Sequence, residues 1–240
     1  MTAKDSRAAA LAAFASLVAD ETRATCLLAL LDGRAWTAGE LARHAGVAAS
    51  TVSEHLGKLV SGGLLTEERQ GRHRYVRLAG AGMAQLVEDL AAQVPPTAAA
   101  AATRPVRGLR ESSAGSAMAR GRTCYDHLAG RLGIAVTDAL TGRGLLRQDT
   151  GFALTDAGIE WFGAAGILLD LSGRRPPARA CLDWTERRPH LAGAAGAALC
   201  RHALDARWCV RVGSARAVKV TPSGERALSE LLGIEPAALR

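Results

Sequence analysis

With 240 residues, the chain is too long for one module of about 100 residues and long enough for two cores. It has no uncharged apolar run of membrane-spanning length, Asp5 and Arg7 precede an alanine-rich amphipathic segment, and its five cysteines (Cys26, Cys124, Cys181, Cys200, Cys209) include no close CxxC pair; neither a disulfide framework nor a zinc knuckle is indicated, and a soluble cytoplasmic protein without a cleavable leader is expected. The net charge of +7 suits a nucleic-acid partner, yet residues 1–100 are balanced and the surplus begins with Arg104, Arg107, Arg110, Arg120 and Arg122 against Glu111, so global basicity says little about which part binds one.

In chain order, residues 5–19 predict a helix with an apolar stripe of Leu11, Phe14, Leu17 and Val18. Cys26 follows in an apolar helical stretch, where a buried structural thiol is expected. Thr37 and Glu40 have capping-box spacing, so a helix begins there, with Leu41, Ala42 and Ala45 inward. Gly46 supplies a sharp turn. A second helix opens at about Ala49 or Ser50. Its residues Val52, Leu56, Leu59 and Val60 recur at helical spacing, which turns Ser50, Thr51, Ser53, Glu54, His55 and Lys58 outward. Short hydroxyls near a helix start, with His and Lys further on, suit contact with phosphates and base edges in a major groove. Leu64 to Thr66 and His73 to Leu78 then read as two strands around a Gln70-Gly71 turn. Arg69, Arg72, His73, Arg74 and Arg77 make this hairpin a basic wing suited to DNA backbone or minor groove.

The order of turn, S-T-V-S-E-H-L helix, G-G-L-L and R-x-G-R hairpin resembles the winged helix-turn-helix of the ArsR/SmtB family of bacterial repressors over roughly residues 10–95. Ala19 to Arg23, followed by Leu27 to Leu31 and Gly33, is similar to that family's first core helix. The resemblance implies a sequence-specific DNA-binding regulator, a dimeric repressor of double-stranded operator DNA, released by an effector that the sequence does not name. It also implies that a helix over Ala81 to Val94, with Met83, Leu86, Val87, Leu90 and Val94 as its stripe, packs with the N-terminal helix across a two-fold axis. The family's metal positions are not filled: Glu40 to Ala45 contains no cysteine, and residues 81–94 offer Glu88 and Asp89 without a histidine.

Pro95-Pro96 and the small-residue run after it mark a boundary. Residues 1–95 are expected to form the DNA-binding and dimerisation domain, 96–122 a basic linker, and 123–240 two degenerate winged-helix-like repeats, about 123–172 and 180–240. The fold class is therefore mainly α with small β-hairpin wings (α+β). The repeat rests on Cys124-Tyr125-Asp126-His127 echoed by Cys181-Leu182-Asp183-Trp184 and His190, on Arg143-Gly144-Leu145-Leu146 matched to Arg207-Trp208-Cys209-Val210, and on Leu154-Thr155 with Gly158 matched to Val220-Thr221 with Gly224. The helical segments Gly133–Leu140 and Gly196–Ala203 are too rich in Ala and Gly to read DNA. This half is read as a sensor or assembly domain.

Three readings compete for its residues. Cys124, Asp126, His127, Cys181, Asp183 and His190 are types that bind borderline or soft metals, and recurrence could bring the two sets together near a pseudo-two-fold axis. The preferred reading makes Asp126 and Asp183 helix caps and the histidines satisfied packing residues, so no metal ligand and no cofactor are assigned. Tyr125, Trp161, Phe162, Trp184 and Trp208 could instead line an apolar pocket. The candidate effector set is Cys124, Tyr125, His127, Cys181, Trp184 and His190, with thiol or metal sensing through Cys124 and Cys181 as the alternative. An enzyme is the remaining rival, but no G-x-G-x-x-G, phosphate loop or G-x-S-x-G elbow occurs in this half; the nearest approach is Gly213-Ser214. No catalytic residue is assigned.

Overall fold

The computed structural model describes residues 6–70, 73–95, 109–149, 151–213 and 216–239, without the side chains of residues 73 and 109–114. Gly71, Arg72, Ser214 and the connector with Arg104 and Arg107 lie outside the described residues, as do the side chains of Arg110 and Glu111. The chain divides into two compact units, Met1–Val87 and Glu88–Arg240. The division falls inside a helix, between Val87 and Glu88, rather than at Pro95-Pro96.

The first unit runs α1 (Ser6–Val18), α2 (Glu21–Leu30), β1 (Trp36–Thr37), α3 (Ala38–Ala45), α4 (Ala49–Ser61), β2 (Leu65–Gln70), β3 (His73–Leu78) and the start of α5 (Ala81–Gln93). Asp20 caps α2 by accepting from the Arg23 amide. The predicted capping box at α3 is complete: the Thr37 hydroxyl accepts from the Glu40 amide at 3.3 Å, and the Glu40 carboxylate accepts from the Thr37 amide at 2.8 Å. Gly46 ends α3 with a φ of 70°, a conformation that a Cβ would strain. The hairpin pairs from Leu65↔Leu78 to Gln70↔His73, and β1 joins β3 to complete a three-stranded sheet. Leu27, Leu30, Leu41, Val52, Leu56, Leu59, Leu64 and Val76 form the core. By contrast, α1 buries none of its residues.

The second unit begins with the C-terminal half of α5 and α6 (Leu109–Arg120). The end of the expected linker is therefore helical. A hairpin–helix–hairpin–helix order then occurs twice. The first copy is β4 (Arg122–Cys124), β5 (His127–Ala129), α7 (Gly130–Gly142), β6 (Leu146–Arg147), β7 (Ala153–Leu154) and α8 (Asp156–Ala164). The second is β8 (Arg179–Leu182), β9 (Pro189–Ala192), α9 (Gly193–Asp205), β10 (Cys209–Arg211), β11 (Val218–Val220) and α10 (Pro222–Leu232), closed by a 3-10 turn at Pro236–Leu239. One hydrophobic core, with Leu132, Leu140, Phe162, Leu199, Trp208, Leu228 and Leu232, spans both copies.

The copies interlock. A Cβ on Gly133 of α7 would lie 2.5 Å from Leu128 O and 3.6 Å from His190 Cβ, and one on Gly196 of α9 would lie 2.5 Å from Leu191 O and 3.1 Å from His127 Cβ. Each helix thus approaches the other copy's hairpin closely, and the Ala- and Gly-rich faces are buried rather than presented to solvent. The second capping threonines repeat the same chemistry: Thr155 donates to Gly144 O and Thr221 to Arg207 O. Because Gly144 and Arg207 both take positive φ, 70° and 55°, Gly144 corresponds to Arg207. The sequence matching of Arg143 with Arg207 is one residue out of register. Among the described residues no helix is long and apolar enough to cross a membrane.

Candidate nucleic-acid interface and a buried cysteine–histidine cluster

The α3 capping box and the Gly46 turn fix where α4 starts, and the buried Val52, Leu56 and Leu59 fix which face it shows. Ser50, Thr51, Ser53 and Lys58 are exposed on that face, with Lys58 paired to Glu54 at 2.7 Å. The N-cap of α4 is Ala48, which makes no side-chain hydrogen bond, so the backbone donors of the first turn remain open to an acceptor from outside the helix. His55 departs from the outward set. Its side chain is only 16% exposed and its Nδ1 lies 3.7 Å from the Asp20 carboxylate at the start of α2. The ring lies against the unit's own surface beside Asp20, without a hydrogen bond to it. In the wing, Arg69 is exposed, whereas Arg74 is engaged by Glu67; Arg69 and Arg74 are cross-strand partners.

In the second unit the recurring Cys and His residues meet. Cys124 pairs across the β4–β5 hairpin with His127, and Cys181 across the β8–β9 hairpin with His190. Directly opposed residues of an antiparallel pair share a face. The two sulfurs stand 3.9 Å apart and the imidazole centroids 5.0 Å. The four ligand-type atoms all lie within 4.8 Å of one another, and all four residues are buried. Nδ1 of His127 lies 3.3 Å from the Asp126 carboxylate, and Nδ1 of His190 lies 3.3 Å from that of Asp183, although the latter approach lacks hydrogen-bond alignment. Nε2 of both rings is buried without a hydrogen-bond partner, a state that costs about 1–3 kcal/mol for each group. The expectation of satisfied packing histidines therefore fails, and the assignment of no metal ligand does not match this geometry. Asp183 does act as a cap, accepting from the Gly130 amide at the start of α7 at 2.7 Å. Asp126 instead holds Arg175. Tyr125 and Trp184 are not in the cluster: Tyr125 sits in the β4–β5 turn with φ 59° and is 56% exposed, and Trp184 lies over Arg122. The five aromatics line no common pocket, since Phe162 and Trp208 are core and Trp161 packs edge-on against Phe162.

A helix-turn-helix domain model matches residues 18–68. Over 228 residues, covering 94% of this chain and 98% of its relative, the chain is 40% identical to the HTH-type transcriptional regulator YdfF of Bacillus subtilis. The chain belongs to the HTH-type transcriptional regulators. The HTH-type transcriptional regulator CmtR of Mycobacterium tuberculosis is 39% identical over 84 residues, covering 35% of this regulator and 70% of CmtR. Among solved structures, that of the cadmium metal-sensor CmtR from the same organism is 34% identical, with a TM-score of 0.31 over 41% of this regulator and 99% of CmtR.

Around the cluster, the regulator builds an ion-pair network that the sequence reading did not find. Arg122, counted there as part of a basic linker, is fully buried; it donates to Glu88 at 3.2 Å and to Asp183 at 2.9 Å, and Arg216 reaches Glu88 at 2.8 Å. Trp184 donates to Glu88 as well. Glu88 thereby joins the second unit, which is why the division falls inside α5. The signals in the sequence were Glu88, an acidic residue within a mostly apolar helix, and Arg122 beside the repeat start. Burial opposes ionisation of Asp183, but His190 and Arg122 outweigh it and hold its carboxyl well below the usual range. The two cluster thiols act as a pair: their mutual contact pushes Cys124 up and Cys181 down. Burial dominates elsewhere, raising Cys26 to about 11 and Cys200 and Cys209 to about 12, which disfavours the reactive thiolate at all three.

Proposed function

We propose that this regulator is a dimeric repressor that reads operator DNA through α4. What carries the reading is the exposed, polar start of that helix: Ser50, Thr51 and Ser53 beside an N-terminus that no side chain caps. Such an end offers amide donors to a phosphate while the hydroxyls reach base edges. Arg69, with Arg72, His73 and Arg74 of the wing, supplies backbone or minor-groove contacts, and Lys58 a further phosphate contact. His55 packs beside Asp20 instead. Dimerisation is supported by α1, whose Leu11 is 68% exposed on a helix that buries nothing within one chain. A second copy of α1 would cover that stripe and give the two-fold symmetry that an operator palindrome mirrors.

Residues 1–95 form the DNA-binding and dimerisation part in this reading, 96–122 join it to the rest, and 123–240 are tandem winged-helix-like repeats that sense or assemble rather than bind DNA. The burial of the α7 and α9 faces supports that role. The protein works in the cytoplasm, without catalysis, and leaves its operator when an effector acts on the repeats.

The test is selection of operator sites from genomic fragments followed by binding isotherms. Thr51→Ala and Ser53→Ala should each narrow the gap between operator and random duplex by about 1–3 kcal/mol per lost base contact. Unchanged discrimination in the double variant would remove α4 from the groove.

A further inference from the structure

We propose that Cys124, His127, Cys181 and His190 bind one zinc(II)-class ion per chain in a closed tetrahedral site that fastens the two repeats together. The donor set is two sulfurs and two imidazoles, which suits borderline-soft divalent ions and offers nothing to magnesium or calcium, which take oxygen. Its dimensions fit. Two thiolates on a tetrahedral zinc, each at about 2.3 Å, stand about 3.8 Å apart; the Cys124 and Cys181 sulfurs are separated by 3.9 Å. All four donors lie within 4.8 Å of one another, so contraction by side-chain rotation closes the shell.

The histidine rings are placed as a metal requires. Nδ1 of each faces a carboxylate, Asp126 or Asp183, and Nε2 of each is buried with no hydrogen-bond partner. A carboxylate behind a ligating histidine fixes the ring and raises its basicity. Both carboxylates are themselves anchored, Asp126 by Arg175 and Asp183 by Arg122 and the Gly130 amide. Each hairpin therefore contributes the same half-site, a cross-strand Cys–His pair with its own aspartate. Binding takes both sulfurs as thiolates and releases the proton or protons they share, leaving a neutral M(S)2(N)2 centre that burial tolerates. Four protein ligands leave no position for water, so the ion is structural or regulatory and performs no hydrolysis. The site uses none of the residues assigned to DNA contact and stands whether or not α4 reads an operator.

Cobalt(II) titrated into reduced, chelator-treated full-length protein is the probe. We expect one equivalent per chain to give the intense visible absorption of tetrahedral cobalt together with a thiolate charge-transfer band, and zinc(II) to abolish both. Cys124→Ser should weaken binding at least a hundredfold and diminish the charge-transfer band. Asp183→Asn should weaken it ten- to a hundredfold, while Cys200→Ser leaves it unchanged. Native circular dichroism of each variant separates ligand loss from unfolding. The wild-type cobalt spectrum decides without any variant: a folded wild-type chain giving no tetrahedral spectrum overturns the proposal. So does the same absence accompanied by a Cys124–Cys181 disulfide on mild oxidation, which would make the pair a redox couple instead.

Discussion

Arg122 shows how much a single side chain organises in the second unit. With no exposed surface, it binds Glu88 and Asp183, donates to Thr185 and Met118 O, and lies 5.4 Å from the Trp184 ring centroid. Replacing it with an apolar residue of similar length leaves two buried carboxylates short of a cation. Arg122→Met should therefore destabilise the folded protein by about 3–5 kcal/mol in denaturant titrations, and an unaltered midpoint would show the network to be dispensable. The same network sets a pH dependence. Asp183 has a folded pKa depressed below its unfolded value, so its contribution is present above the ordinary aspartate range and is lost as pH falls below about 4. The denaturation midpoint should drop through that window in the wild type and less steeply in Arg122→Met. Equal slopes in the two proteins would detach Asp183 from Arg122.

At the scale of elements, the bare N-cap of α4 separates stability from function. Ala48→Asp adds an acceptor for the first-turn amides and should stabilise the protein by about 1 kcal/mol, yet it places a negative charge where a phosphate would sit, so operator affinity should fall. Affinity that rises or holds would mean that this end of α4 is not at the DNA. In the wing, Arg69 has no acidic partner across the hairpin whereas Arg74 is tied to Glu67; Arg69→Ala should lower specific and random binding together and flatten the salt slope by about one unit. These elements were legible from sequence because their signals are local: the Thr37–Glu40 spacing, the Gly46 turn and the period of Val52, Leu56 and Leu59 lie within a few residues of what they specify. His55 was misplaced because a helical wheel carries no information about Asp20, which lies on a different helix. The Cys–His recurrence was visible, but its convergence was not, since Cys124 and Cys181 are 57 residues apart and only the interlocking of α7 and α9 with opposite hairpins brings them together. The repeat register slipped by one because Arg207 takes a left-handed conformation that sequence assigns to glycine.

For the whole molecule, α1 and α5 pose the remaining questions. Leu11 of α1 is 68% exposed within one chain, and an exposed apolar residue on a helix that buries nothing points to a partner; Leu11→Arg should shift the sedimenting species from dimer toward monomer and weaken operator binding together, and a dimer indifferent to the change would place the interface elsewhere. In α5 the Pro95-Pro96 break and the packing disagree about where one unit ends, and Glu88 decides between them. A C-terminal fragment beginning at residue 96 lacks this carboxylate, so Arg122 and Arg216 lose their shared partner, whereas one beginning at residue 80 keeps it. The longer fragment should be the more stable by about 3 kcal/mol in urea. The complementary fragment 1–95 retains α4, the wing and α1, and the Glu88 side chain it carries has only to be solvated, so it should still bind operator DNA as a dimer. If it binds no DNA while the full chain does, the second unit is required for assembly of the reader. If the two C-terminal fragments prove equally stable, Glu88 belongs functionally with the first unit despite its ion pairs.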